Sequence, residues 1–234
     1  SPEREPLATQ LGKMIATIHT LPAEMVQEAD LPIYSNEQCR RRMLSELDRA
    51  ASTGKIPSAL LRRWEAWLED ESMWQFRPTA VHGDLTEDNL VLDGTLLTAV
   101  RGWHDLHVGD PAIDFSWLMS CPDQEFTDAI IEVYSVQLPH APDQFLLRRA
   151  YLHAEFALAQ WLVRSLEQDD RESVDEAVSM LRALESDLRE SGALSPTAPG
   201  TTSGSSDSTS SAGRTEEPER STGSTPVSYT HLRA

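Results

Sequence analysis

At 234 residues the chain has room for one or two domains. Its formal net charge of −18 argues against nucleic acid and anionic membrane surfaces as partners, because both would repel it. The same charge suits a soluble chain kept apart by self-repulsion, or one that receives a cationic ligand. Cys39 and Cys121 are too few for a disulfide framework and lack metal-type spacing, which points to a reducing, cytoplasmic setting. No run approaches the roughly 18 apolar residues of a membrane span. The charged start Ser1-Pro2-Glu3-Arg4-Glu5 has no signal-peptide pattern and no initiator Met, so the natural start is expected upstream.

Leu7, Leu11, Ile15, Ile18 and Leu21 recur at helical spacing, which predicts an amphipathic helix over 6–20, stopped by Pro22. Ser35 with Gln38 has the form of a capping box and opens a second helix to about 51, ended by Thr53-Gly54. A third opens near Pro57-Ser58 and carries Leu60, Leu61, Trp64, Trp67 and Leu68. The period then shortens. Residues 79–82, 90–92 and 96–100 are short, apolar and β-leaning, and Asp93-Gly94 is a hairpin turn. After Asp110-Pro111 a helix is expected to about 119, since proline suits a first turn. Further helices are expected at 124–137, 142–166 and 171–190. From Ser195 to Pro226 the chain is mostly Ser, Thr, Gly and Pro, which predicts a disordered tail over 195–234. The final stretch Val227 to Ala234 resembles a reading frame through a transposon-based sequencing adaptor. The folded unit is therefore 1–194, a mainly α chain with a small β insert and length enough for one core.

The insert carries the polar motifs. Ala80-Val81-His82-Gly83-Asp84-Leu85 leads to Asn89, and Val108-Gly109-Asp110-Pro111-Ala112-Ile113-Asp114 follows the hairpin. Phosphoryl transfer is mostly positioning and charge neutralisation, so it needs few protein groups. An aspartate orients the acceptor hydroxyl and takes its proton. An amide oxygen and a second carboxylate hold the metal ions that bridge the nucleotide phosphates. Asp84, Asn89 and the hairpin over 90–102 have that layout.

These motifs resemble the aminoglycoside phosphotransferase and choline kinase superfamily, and within it most of all the macrolide phosphotransferases. Their pattern is similar to His-Gly-Asp-Leu, an apolar hairpin, an Asp-Trp pair, an acidic residue, then Val-x-Asp-Pro-Ala-Ile-Asp. Here it reads His82-Gly83-Asp84-Leu85, Leu90 to Val100, Gly102-Trp103, Asp105 and Val108 to Asp114. The resemblance runs from about Leu7 to Leu188. It implies an α+β, mainly α fold: a protein-kinase-like C-terminal lobe whose β-hairpin insert carries the catalytic loop. It implies Asp84 as catalytic base, Asn89 as a magnesium ligand, and His82, Asp110 and Asp114 as residues that brace the loop. It implies ATP or GTP with Mg2+ as cofactors. The implied substrate is a small, amine-bearing molecule of the macrolide or aminoglycoside type. No Gly-rich phosphate loop and no strand lysine occur in the chain, so only the C-terminal lobe is expected.

One position departs from the pattern. Gly102 stands where the family has a metal-binding aspartate, Arg101 beside it would repel a metal if it pointed inward, and Asp105 would need a different backbone path to replace the carboxylate. The alternatives are a pseudokinase, a small-molecule binding protein with a degenerate metal site, or a truncated gene fragment. Gly102→Asp is expected to separate the first two cheaply from an active kinase. His104, Asp105, His107 and Asp110, with His82 and Asp84, also permit a metal-dependent hydrolase, but no motif such as His-Glu-x-x-His supports it. Trp64, Trp67, Trp74, Trp117 and Trp161 read as core residues on helical apolar faces. Glu155 and Asp128 read as solvated helix positions, with the lining of a cationic acceptor pocket as the alternative.

Overall fold

The computed structural model describes residues 5–194. The expected tail over 195–234 and its adaptor-like end lie outside the described residues. The rest is mainly helical, with two small antiparallel sheets. Among the described residues no helix is long and apolar enough to cross a membrane.

Helix α1, Leu7–His19, buries Leu11, Ile15 and Ile18 on one side, as their spacing requires. A short helix α2, Ala23–Glu28, follows Pro22. It was not expected, because Val26 alone is buried and six residues are too few to show a helical period. Helix α3, Asn36–Ser52, opens on the expected capping box: Gln38 N–H donates to Ser35 Oγ at 3.2 Å and Ser35 N–H to Gln38 Oε1 at 2.8 Å. Helix α4 spans Ser58–Glu69.

The β insert forms two pairs rather than one hairpin. Strand β2, Leu90–Asp93, pairs with β3, Leu96–Val100, around Asp93-Gly94, with a register shift between Val91 and Leu92. Strand β1, Thr79–Val81, pairs with β4, His107–Gly109, which sequence periodicity did not reveal. Three residues carry no period. What makes β4 a strand is long-range pairing, since Val108 also bonds Pro32 and Tyr34 on its other edge.

The helix expected after Pro111 exists, but Pro111–Ser120 is 3-10 rather than α. Local donors explain part of this: Ser116 Oγ takes the Ile113 carbonyl at 2.7 Å and Trp117 Nε1 the Asp114 carbonyl at 3.0 Å, in competition with backbone amides one turn on. Helix α5, Gln124–Gln137, matches the expectation. Helix α6, Leu146–Glu167, starts four residues later than expected, because Asp143 is drawn into a pre-helix turn with the Phe145 N–H and an ion pair with Arg149. Helix α7 is Arg171–Glu190.

Two apolar clusters support the site. One joins α3, α4, α6 and α7 around Trp64, Trp67, Phe156 and Leu181. The other joins α1, α5, the 3-10 helix and the start of α6 around Leu11, Phe115, Ile130 and Tyr134. Trp64, Trp67, Trp74 and Trp161 are buried as expected, and Trp117 is partly buried.

Candidate active site

The loop after β1 turns sharply at Gly83, whose φ of 81° lies in the left-handed region. A Cβ there would stand 2.4 Å from the Asp105 carbonyl oxygen, so glycine lets this turn press against the segment after β3. Asp114 holds the turn from the 3-10 helix. Its two oxygens accept the backbone N–H groups of His82 and Gly83 at 2.8 and 2.9 Å. The His82 ring is committed to backbone as well. Its Nε2 lies 2.8 Å from the Arg101 carbonyl and its Nδ1 takes the Asp84 N–H at 3.3 Å, which assigns the hydrogen to Nε2.

Asp110 anchors a second, deeper point. It accepts from Arg149 Nε at 3.0 and 3.1 Å, from the Ala112 N–H at 3.0 Å, and lies 3.2 Å from His153 Nε2. Arg149 continues to Asp143 and the Met73 carbonyl. Burial opposes the charge on Asp110, but Arg149 and His153 outweigh it and hold the carboxyl below the ordinary carboxylate range. Thus β4, the 3-10 helix and α6 are tied at one carboxylate.

Between these anchors sits Asp84, only 4% exposed although it lies on a loop. His104 Nε2 is 3.5 Å from its Oδ2 and 3.7 Å from Asp105 Oδ2. The ligand atoms of Asp84, His104 and Asp105 all lie within 4.8 Å of one another. The other members of the hydrolase set do not join them. The His107 ring contacts the Asp105 carbonyl at 2.7 Å, His82 faces Arg101, and Asp110 faces Arg149.

Asn89 lies on the same loop, in a 3-10 turn over Glu87–Asn89. Its Nδ2 donates to the Asp84 carbonyl at 2.7 Å, and its own carbonyl accepts the Arg101 N–H at 2.8 Å. Gly102 stands beside it with φ 82°. Arg101 is exposed, and its guanidinium donates to the Asp88 carbonyl on the outer part of the loop at 3.1 Å.

A family model described as phosphotransferase enzyme family matches residues 1–153, a span that contains the whole loop and both anchors. The chain belongs to the phosphotransferase enzyme family. The chain is similar to macrolide 2'-phosphotransferase MphH from Brachybacterium faecium, at 25% identity and TM-score 0.66, over 75% of this chain and 59% of that one. It shares its fold with the GDP and kanamycin complex of APH(2")-IIIa, at 19% identity and TM-score 0.67, over 77% and 62%. A curated relative, uncharacterized protein YcbJ of Bacillus subtilis (strain 168), is 21% identical over 134 residues, 57% of this chain and 44% of that protein. The chain thus spans less than two thirds of the length of each of these relatives. The kinase-like, mainly α fold and the likeness to macrolide and aminoglycoside phosphotransferases agree with the sequence expectation.

Magnesium, which the family implies, takes oxygen donors in near-octahedral array. Oxygen donors for such an ion stand near the loop in the carboxylate of Asp105, within 4.8 Å of the Asp84 and His104 ligand atoms, and in the Asn89 amide beside Gly102. Position 102 itself offers no side chain. One expectation fails elsewhere. Glu155 is neither solvated nor in an acceptor pocket: it is buried against Arg63 at 3.0 Å and Trp64 Nε1 at 2.8 Å. Asp128 is exposed, as a solvated helix position should be, and accepts from Gln124 at 2.9 Å. The sequence placed His104 with Asp84 only in the hydrolase alternative, and of that set the structure brings together Asp84, His104 and Asp105.

Proposed function

We propose that this chain is the catalytic lobe of an ATP- or GTP-dependent kinase of small molecules. It moves the γ-phosphate to a hydroxyl of an amine-bearing compound of the macrolide or aminoglycoside type. The observation that carries this reading is the buried Asp84, set on a loop whose backbone N–H groups are clamped by Asp114. The acceptor hydroxyl donates to an Asp84 oxygen and gives up its proton there as its oxygen bonds to the γ-phosphorus. The bond to the bridging oxygen breaks, and a nucleoside diphosphate leaves. His82 transfers no proton in this scheme, because both its ring nitrogens serve the backbone. Magnesium held by Asn89, with Asp105 as the nearest further carboxylate, would neutralise charge on the phosphates. The net charge of −18 favours an acceptor that bears an amine.

The test uses this chain. ATP and GTP are titrated calorimetrically with and without magnesium, and phosphate transfer to a panel of hydroxylated antibiotics is followed. Asp84→Asn is expected to slow transfer about 10²–10⁴-fold while nucleotide binding persists. An Asp84→Asn protein as active as its parent removes Asp84 from the chemistry.

A second reading is favoured by the Asn89 side chain beside Gly102: a binding protein that keeps the pocket but transfers weakly or not at all. Nucleotide binding that ignores magnesium, with no transfer to any acceptor, selects it.

A further inference from the structure

His19, the last residue of α1, and Tyr134, on α5, have no part in the chemistry above, yet both are polar and buried. The Tyr134 hydroxyl lies 2.8 Å from His19 Nδ1, and His19 Nε2 lies 3.0 Å from Asp114 Oδ2. That is the oxygen which also accepts the His82 N–H, while Oδ1 accepts the Gly83 N–H. The side chains of His19 and Asp114 are wholly shielded from solvent. One placement of hydrogens gives each of these groups a partner. Tyr134 O–H donates to Nδ1, His19 carries its hydrogen on Nε2 and donates to the carboxylate, and the two amides donate to the same carboxylate. The other neutral tautomer sets a nitrogen lone pair against carboxylate oxygen. Burial, and next the Asp114 charge, push the Tyr134 ionisation upward, so its hydroxyl remains a donor. Phe115 closes the side of the relay, 4.8 Å from the Tyr134 ring and 6.0 Å from His19.

We propose that His19 and Tyr134 are positioning residues for Asp84, acting through Asp114. The inference rests on the reading of Asp84 as the group that orients the acceptor hydroxyl. Asp114 grips the loop on one side and needs an opposing donor to keep its carboxylate in that rotamer. His19 supplies the donor, and Tyr134 fixes the ring that supplies it. The grip ends one residue before Asp84, so a change of angle at Asp114 is passed directly to the Asp84 carboxylate. Displacements of this kind cost far more in rate than in binding.

The test compares Tyr134→Phe, His19→Phe and His19→Gln. Glutamine can both donate to Asp114 and accept from Tyr134, whereas phenylalanine can do neither. Amide hydrogen exchange is measured on the chain itself, without nucleotide. In Tyr134→Phe and His19→Phe the amides of 82–84 are expected to exchange about tenfold faster, while α7 amides keep their protection. His19→Gln restores the protection. In the transfer assay the two phenylalanine variants are expected to lose about 10–100-fold in kcat, with nucleotide KM within about twofold. Exchange unchanged at 82–84, or equal change at 82–84 and in α7, overturns the proposal, since the second pattern is a general loss of stability. So does a failure of His19→Gln to restore protection. If His19→Phe does not fold, Tyr134→Phe, which removes one oxygen, makes the same comparison. Loss of protection in a chain whose parent shows no transfer leaves the brace standing and overturns the role given to Asp84.

Discussion

The Asn89 side chain fills the room beside Gly102: its Oδ1 and Cγ stand 2.6 and 2.9 Å from the place a Cβ at 102 would take. Gly102→Asp is therefore not the clean restoration that the sequence suggested. The φ of 82° is tolerated by aspartate better than by most residues, but the Asn89 amide must move, and its bond to the Asp84 carbonyl goes with it. Gly102→Asp is expected to destabilise the fold by about 1–3 kcal/mol. In an Asn89→Ala background the cost should be smaller, with a coupling of about 0.5–3 kcal/mol in a double-mutant cycle followed by urea unfolding. Additive effects would mean that the two side chains do not compete.

Acid should weaken the fold through Asp110. Its folded carboxyl lies below the unfolded value of about 3.9, so the unfolded chain binds the proton more readily. The stabilisation is complete above the unfolded value and is lost as pH falls through the folded one. Asp110→Asn should accordingly lower stability at pH 7, and its deficit against the parent should shrink toward pH 3. A gap in urea midpoints that stays constant with pH would contradict this.

The pair of Arg63 and Glu155 is buried between α4 and α6. Glu155→Ala leaves the guanidinium without its main partner and is expected to cost about 3–5 kcal/mol. Replacing both with apolar residues of similar size, Arg63→Met with Glu155→Leu, should recover most of the loss. Denaturant unfolding of the single and double variants decides it. A double variant no more stable than Glu155→Ala would show that the charges are indispensable to this helix contact.

Cys39 should be a poor nucleophile. Burial first, and then the Asp110 charge, push its thiol up to about 11. Alkylation at pH 8 is expected to be slow in the folded protein and to accelerate sharply in denaturant, as read by peptide mass after digestion. Fast modification of the native chain at Cys39 would argue against this burial.

Local patterns already contained much of the fold. The α1 stripe, the Ser35 and Gln38 cap, the Asp93-Gly94 turn and the long stripes of α5 and α7 each depend on residues within a few positions of one another. Such elements are legible because their physics is local. The two motifs at 82–84 and 108–114 likewise marked the loop, since their spacing along the chain is the signal. Position 102 announced itself as a missing carboxylate for the same reason.

Tertiary structure decided what those residues do to one another. Strand β4 exists because β1 and the Pro32–Tyr34 segment bond its two edges. Glu155 is buried because Arg63, 92 positions away, meets it with a guanidinium. Asp114 holds the loop from 31 and 32 positions off, and Tyr134 reaches it through a histidine 115 positions from its own hydroxyl. By itself the sequence determined which groups were available and where its helices and turns begin. The pairing of buried polar groups was left to the folded chain, because a hydrogen bond is set by distance in space and the partner's place in sequence leaves no local trace.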